Sequence, residues 1–228
     1  MTPDTFLGSK LATIAVTLAA IAYVLNQFRK PTRWGGRFFI WVMNLRHSGL
    51  TDWGLTQVRI GPQFTILDVG CGGGRTVEKL ATQASDCVVC GVDHADGSVA
   101  AAWQRNKHLV AAGRVEIQQA SVSRLPYPDS RFDLVTAVET HYYWPDLPDD
   151  LKEIRRVTKR SGTLLIIAEA YKGSRFGFID QFAMKALRAT LASPDELRVA
   201  IVGAGFGNVE VTLHPNGKWI CARGVLSS

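Results

Sequence analysis

Cysteine is scarce in this chain, four in 228 residues, which does not make a disulfide framework. Two of them form Cys87-Val-Val-Cys90, inside an apolar run that ends at Asp93. Residues three apart on a strand point to opposite faces, so joint metal ligation is not expected and both are read as small core residues. Repeats and low-complexity linkers are also lacking, and this length then predicts one α/β domain with a modest extension. Two nucleotide-loop signatures are missing. No Lys-Ser/Thr pair follows the glycines at 70–74, which excludes the phosphate loop, and a dinucleotide fingerprint would need glycine where Arg75 stands. Charge is absent from Leu11 to Phe28.

What is present centres on Ile66-Leu67-Asp68-Val69-Gly70-Cys71-Gly72-Gly73-Gly74-Arg75. An apolar strand ends beside an aspartate, and a glycine turn opens a helix-like stretch from Thr76. Such a turn lets a ligand approach main-chain amides without a Cβ in the way, at the carboxyl edge of a parallel sheet. An Asp two residues before G-x-G-x-G resembles the first motif of the class I S-adenosylmethionine (SAM)-dependent methyltransferases. That resemblance implies an α/β, Rossmann-like seven-stranded methyltransferase sheet, mostly parallel with the last strand antiparallel. It also implies SAM as cofactor, with Gly70 and Gly72 holding it and Asp68 bracing the loop.

Val88 to Asp93 reads as the second strand, and Asp93 is placed to accept both ribose hydroxyls. His94 follows it and can edge against the ribose or adenine. Ser98 to Lys107 reads as a helix, with Gly113 closing the segment, and Arg114 to Gln118 as the third strand. The stretch from Gln119 to Val135 resembles the family's G-D-a-x-x-L-P-F-x-D-x-x-F-D-x-V. Ser121 stands where the family's adenine-binding Asp is usual, so the resemblance places Ser121 and the Val122 amide at the adenine. Phe132 to Val138 is the fourth strand and runs into Glu139-Thr140-His141-Tyr142-Tyr143-Trp144. In the family this loop faces the methyl group. It implies Glu139 as a cofactor contact, Tyr142, Tyr143 and Trp144 as acceptor contacts, and His141 as a candidate base. The [DNS]-P-P-[YFW] box of nucleic-acid amino-methyltransferases is absent, so a nucleic-acid substrate is not expected.

The N-terminal residues 1–30 read as a hydrophobic anchor. Eighteen helical residues span about 27 Å, marginal for a bilayer core of ~30 Å. The positives Arg29, Lys30, Arg33, Arg37 and Arg46 follow the apolar run, whereas a signal peptide would want them before it. This predicts a membrane partner and a catalytic domain facing the cytoplasm. The overall balance is basic, 26 Lys+Arg against 20 Asp+Glu. Residues 31–60 read as a lid, with a helix over 37–47 stopped by Gly49. Ile40, Met43, Asn44 and His47 share one face of it. The segment resembles M-N-x-x-H-x-x-L-T-x-W-G-L, found before the glycine loop in a bacterial small-molecule subgroup, the ubiquinone- and menaquinone-biosynthesis type. Met43 and Asn44 become candidate acceptor contacts and His47 a second candidate base. Trp53 reads as packing.

Residues 61–228 then form the methyltransferase domain. Asp149 to Lys159 is predicted helical with Gly162 as terminator, and Thr163 to Ala168 is the fifth strand. Ser174 to Leu191 is amphipathic and would sit over the acceptor. Ser193-Pro194-Asp195-Glu196 opens a helix with a capping box. Two closing strands flank a Pro215-Asn216-Gly217 turn. The expected function is transfer of a methyl group from SAM to a small apolar or aromatic acceptor such as a phenol, quinone precursor, lipid or thiol. A nucleotide-binding oxidoreductase and a non-catalytic anchored binding module are the rival readings.

Overall fold

The structure, a computed structural model, describes residues 48–84, 86–174 and 189–227. The expected anchor over 1–30, the helix over 37–47 with Met43, Asn44 and His47, and most of the amphipathic segment after Ser174 lie outside the described residues. No helix among the described residues is long and apolar enough to cross a membrane.

The described elements run α1 (Ser48–Leu55), β1 (Thr65–Val69), α2 (Arg75–Gln83), β2 (Val88–Asp93), α3 (Asp96–Ala111), β3 (Val115–Gln119), β4 (Phe132–Val138), α4 (Leu147–Val157), β5 (Thr158–Ala168), α5 (Pro194–Gly203), β6 (Phe206–Leu213) and β7 (Ile220–Leu226). They build one seven-stranded sheet in the order β3-β2-β1-β4-β5-β7-β6. Neighbours from β3 to β5 are parallel, while β7 inserts antiparallel between β5 and β6. The chain winds outward from β1 through β2 and β3, then returns to place β4 on β1's other side. That reversal opens a crevice at the carboxyl ends of β1 and β4.

The central strands are largely apolar on both faces because helices cover both. Leu67, Val92, Val135, Leu164 and Ile166 share one buried cluster with Leu151 and Ile154 of α4 and Leu197 and Ile201 of α5. Ile66, Val89, Leu134, Leu165 and Ile167 share the other with Leu50 of α1, Val77 and Leu80 of α2 and Leu109 of α3. Each such side chain contributes about 1.5–3 kcal/mol by leaving water. Cys90 belongs to the first cluster and Cys87 to the second, so the pair is split across the sheet.

Caps set the helix starts. Asp146 accepts from the Asp149 amide at the start of α4. The expected box at α5 is present in full, Ser193 and Glu196 each bonding the other's backbone N–H. Two expected stops are not stops. Gly49 lies inside α1, where its flat face sits against the Trp219 ring. Gly162 lies inside β5, which begins at Thr158. The helix before it ends at Val157 because Thr158 turns to extended backbone and the N-terminal part of the long strand pairs with Phe132.

Candidate functional site

Beyond Val69 the chain turns at once, and the amides of Gly70 and Cys71 both donate to the Val92 carbonyl, at 2.8 and 2.9 Å. The turn is thereby strapped to the end of β2. Gly70 has φ 71°, and a Cβ there would run into the Thr140 hydroxyl. Gly70→Ala should cost about 1–2 kcal/mol from the left-handed backbone alone, with the clash added. A urea melt that finds the variant as stable as the wild type would contradict this. Gly72 differs: at φ 52° a Cβ would meet nothing within 4 Å, so open space lies directly above this residue.

Asp93 orders that space. Its Oδ2 accepts from the Gly72 amide at 3.0 Å and its Oδ1 from the Ala95 amide at 2.9 Å. Each carboxylate oxygen keeps a further lone pair, and the side chain is held in one orientation at the strand end. Helix α3 grips the turn from outside. Arg105 Nε donates to the Gly73 carbonyl at 3.2 Å, and buried Asn106 Nδ2 donates to the Gly74 carbonyl at 2.9 Å. Asp68 lies beneath, buried, its Oδ1 accepting from the Thr136 hydroxyl at 2.7 Å. Burial pushes its carboxyl up to about 7; the Thr136 bond opposes this and the neighbouring Asp93 charge adds to it.

His94 is exposed, with Nδ1 3.6 Å from Asp93 Oδ1. Ser121 is exposed beside Arg124, its Oγ accepting from the Ser123 amide at 3.3 Å, while the Val122 side chain is buried in the core. After β4 the chain passes Glu139, whose φ of 59° is left-handed, and enters a short 3-10 turn, His141–Tyr143. The Glu139 amide donates to the Ile167 carbonyl at 2.9 Å, and its Oε1 accepts from the Glu169 amide. The Tyr142 phenol is also hydrogen-bonded to Glu139, and burial pushes it well above the usual phenol range.

His141 is buried, its ring 4.4 Å from that of Tyr142. Its Nδ1 is buried with no hydrogen-bond partner among the described residues. A general base near neutrality was expected here; burial instead pushes the imidazole down to about 4, so it is neutral at physiological pH. Tyr142 is itself buried in the core, and Tyr143 packs edge-on to it with ring centres 5.4 Å apart. Trp144 is half-buried against the same cluster. Trp53 packs, as expected, with its ring 5.1 Å from His214 and 6.1 Å from Trp219.

Asp68, Gly70, Gly72 and Asp93 are thus brought together at the crevice, and Thr140 joins them to His141. Sequence reasoning missed Thr136, Thr140, Arg105 and Asn106. Only Thr136 left a signal, as the hydroxyl within the apolar run Leu134-Val135-Thr136-Ala137. The open space over Gly72 is flanked by an oriented carboxylate, a group that can accept hydrogen bonds from hydroxyls. Among the described residues no group of three or more acidic, His and Cys side chains is placed to hold a metal ion.

Residues 67–166 match the family described as methyltransferase domain. The chain is 33% identical over 113 residues to the 27-O-demethylrifamycin SV methyltransferase of Amycolatopsis mediterranei, covering 50% of this chain and 40% of that protein. It is 31% identical over 154 residues to the demethylmenaquinone methyltransferase of Symbiobacterium thermophilum, covering 61% of each. The chain spans about half the length of the curated relatives it matches. Among solved structures, the YcgJ protein of Bacillus subtilis superposes with a TM-score of 0.66 at 16% identity, covering 80% of this chain and all of that one; this likeness is one of fold.

Proposed function

We propose that the protein, whose residues 67–166 match a methyltransferase domain, is a class I SAM-dependent methyltransferase that transfers a methyl group from SAM to a small apolar or aromatic acceptor at a membrane surface. The observation that carries the reading is the pairing of Gly72's open face with Asp93, whose two oxygens are already oriented by backbone amides. Asp93 would hold the ribose, Gly70 and Gly72 would admit the nucleoside, and Ser121 with the Val122 amide would meet the adenine. When bound, SAM supplies a methyl group activated by its sulfonium.

The chain's own residues then align and protect. Fixing donor and acceptor in line and excluding water contributes on the order of 7–11 kcal/mol to lowering such a barrier at best. His141 Nδ1 is the atom proposed to take the acceptor's proton. Its depressed proton affinity keeps it neutral and able to accept, and favours proton loss as the methyl arrives rather than beforehand. Asp68, below the turn, balances the cationic nucleoside when ionised. The half-buried Tyr143 and Trp144 supply aromatic faces at the acceptor side. Met43, Asn44 and His47 are proposed to close over it.

The membrane part of the reading is supported by the uncharged run Leu11–Phe28 and the positives that follow it. On that reading the domain would face the cytoplasm. Incubation of the purified chain with methyl-labelled SAM and a total lipid and metabolite extract tests the function. Transfer of label into a nuclease-resistant, organic-soluble product with stoichiometric S-adenosylhomocysteine is expected. Label in nucleic acid, or SAM binding without any turnover, would contradict it.

A further inference from the structure

Glu139 resembles a cofactor contact in sequence, yet its surroundings describe a different task. It is one of five non-glycine residues with left-handed backbone among the described residues, φ 59°, and such strain persists only where the surroundings hold it in place. Three bonds do so. Its amide donates to the Ile167 carbonyl at 2.9 Å, its Oε1 accepts from the Glu169 amide, and its carboxylate is bonded to the Tyr142 phenol. The first two tie the end of β4 to the end of β5, and the third ties both to the 3-10 turn.

The residues that follow are the ones the site uses. Thr140 lies against Gly70, so close that a Cβ on the glycine would strike its hydroxyl. His141 comes next, buried with its Nδ1 unpartnered among the described residues, and stacks obliquely on Tyr142. The Tyr142 carbonyl in turn accepts from the Thr190 amide at 2.9 Å.

We propose that Glu139 is a positioning residue: its carboxylate latches the left-handed bend after β4, and through that bend it seats Thr140 on the glycine turn and holds His141 buried at the acceptor side. This rests on the proposed role of His141 but concerns how the imidazole is held, and it needs no bound nucleoside to be tested. Glu139 acts through its neighbours and does not touch the reacting atoms.

The test is the titration of His141 in the unliganded full chain, followed by NMR with isotopically labelled histidine and assigned by the His141→Gln variant. Glu139→Gly suits the probe, because glycine tolerates the backbone and loses only the latch; Glu139→Gln retains an acceptor oxygen. In the wild type His141 is expected to titrate near 4. In Glu139→Gly it should move at least one pH unit towards 6.5 as the turn loosens, and in Glu139→Gln it should return to within about half a unit of the wild type. Thermal melts establish that each variant is folded, and a Glu139→Gly chain that does not fold while Glu139→Gln titrates as wild type also supports the latch. An unchanged titration in Glu139→Gly, or failure of Glu139→Gln to restore it, overturns the proposal. Calorimetry with S-adenosylhomocysteine separates the two claims. Lost binding in the wild type would refute the nucleoside reading and leave the latch standing on its titration.

Discussion

Asp68→Asn should gain stability over the wild type as pH rises, by about 4 kcal/mol between pH 4 and pH 8. The carboxyl moves from 3.8 to about 7 on folding, so the folded chain holds a proton that the unfolded chain has lost. Its contribution is fully present below pH 3.8 and is lost as pH rises through 7. His141 acts in the opposite sense. Its folded value of about 4 lies below the ordinary 6.5, so its contribution is present above pH 6.5 and is lost on acidification through 4. That contribution is about 3 kcal/mol. In the wild type the two slopes nearly cancel over pH 4–6.5, and removing either partner unmasks the other. Urea melts across this range should show Asp68→Asn losing stability with acid and His141→Phe gaining it. Two variants that both track the wild type would contradict the burial argument. At pH 8 Asp68→Asn should also bind SAM more weakly, since the carboxylate that balances the cation is gone; a variant both more stable and a poorer binder is the signature of a site residue.

The second large effect is expected from Asp93→Ala. The substitution removes the proposed ribose acceptor and leaves the amides of Gly72 and Ala95 without their carboxylate. Charge-assisted hydrogen bonds contribute about 1.5–3 kcal/mol each, so two lost contacts predict at least a 100-fold fall in SAM affinity. Circular dichroism should show the sheet intact, because Asp93 sits at the strand's end rather than in its core. An affinity within threefold of the wild type would remove Asp93 from the site.

Much of this fold could be read from local sequence because the signals were local. The runs at 88–93 and 132–138 are mostly apolar, and both are strands with those bounds. Ser193 and Glu196 cap their helix through residues three apart. Gly162 misled because glycine's usual meaning after a helix was overridden by pairing of β5 with β4, a partner some 30 residues away in sequence. The same distance hid the clamp on the glycine turn: Asn106 reaches Gly74 across 32 residues and Thr136 reaches Asp68 across 68. The residue type of His141 was visible as a candidate base, but its proton affinity was not, since that is set by burial under a tertiary structure. Glu139 shows the converse. A strand-end carboxylate invites assignment to a ligand, and its bond to the Glu169 amide, formed across 30 residues of sequence, leaves no local signal.

The central claim is that the turn after β1 and the carboxylate at the end of β2 together take up a sulfonium nucleoside. Calorimetry of the wild-type chain with SAM, and separately with NADH, tests it most directly. Saturable one-to-one binding of SAM with no heat from NADH is predicted; saturable binding of NADH, with none of SAM, would contradict it.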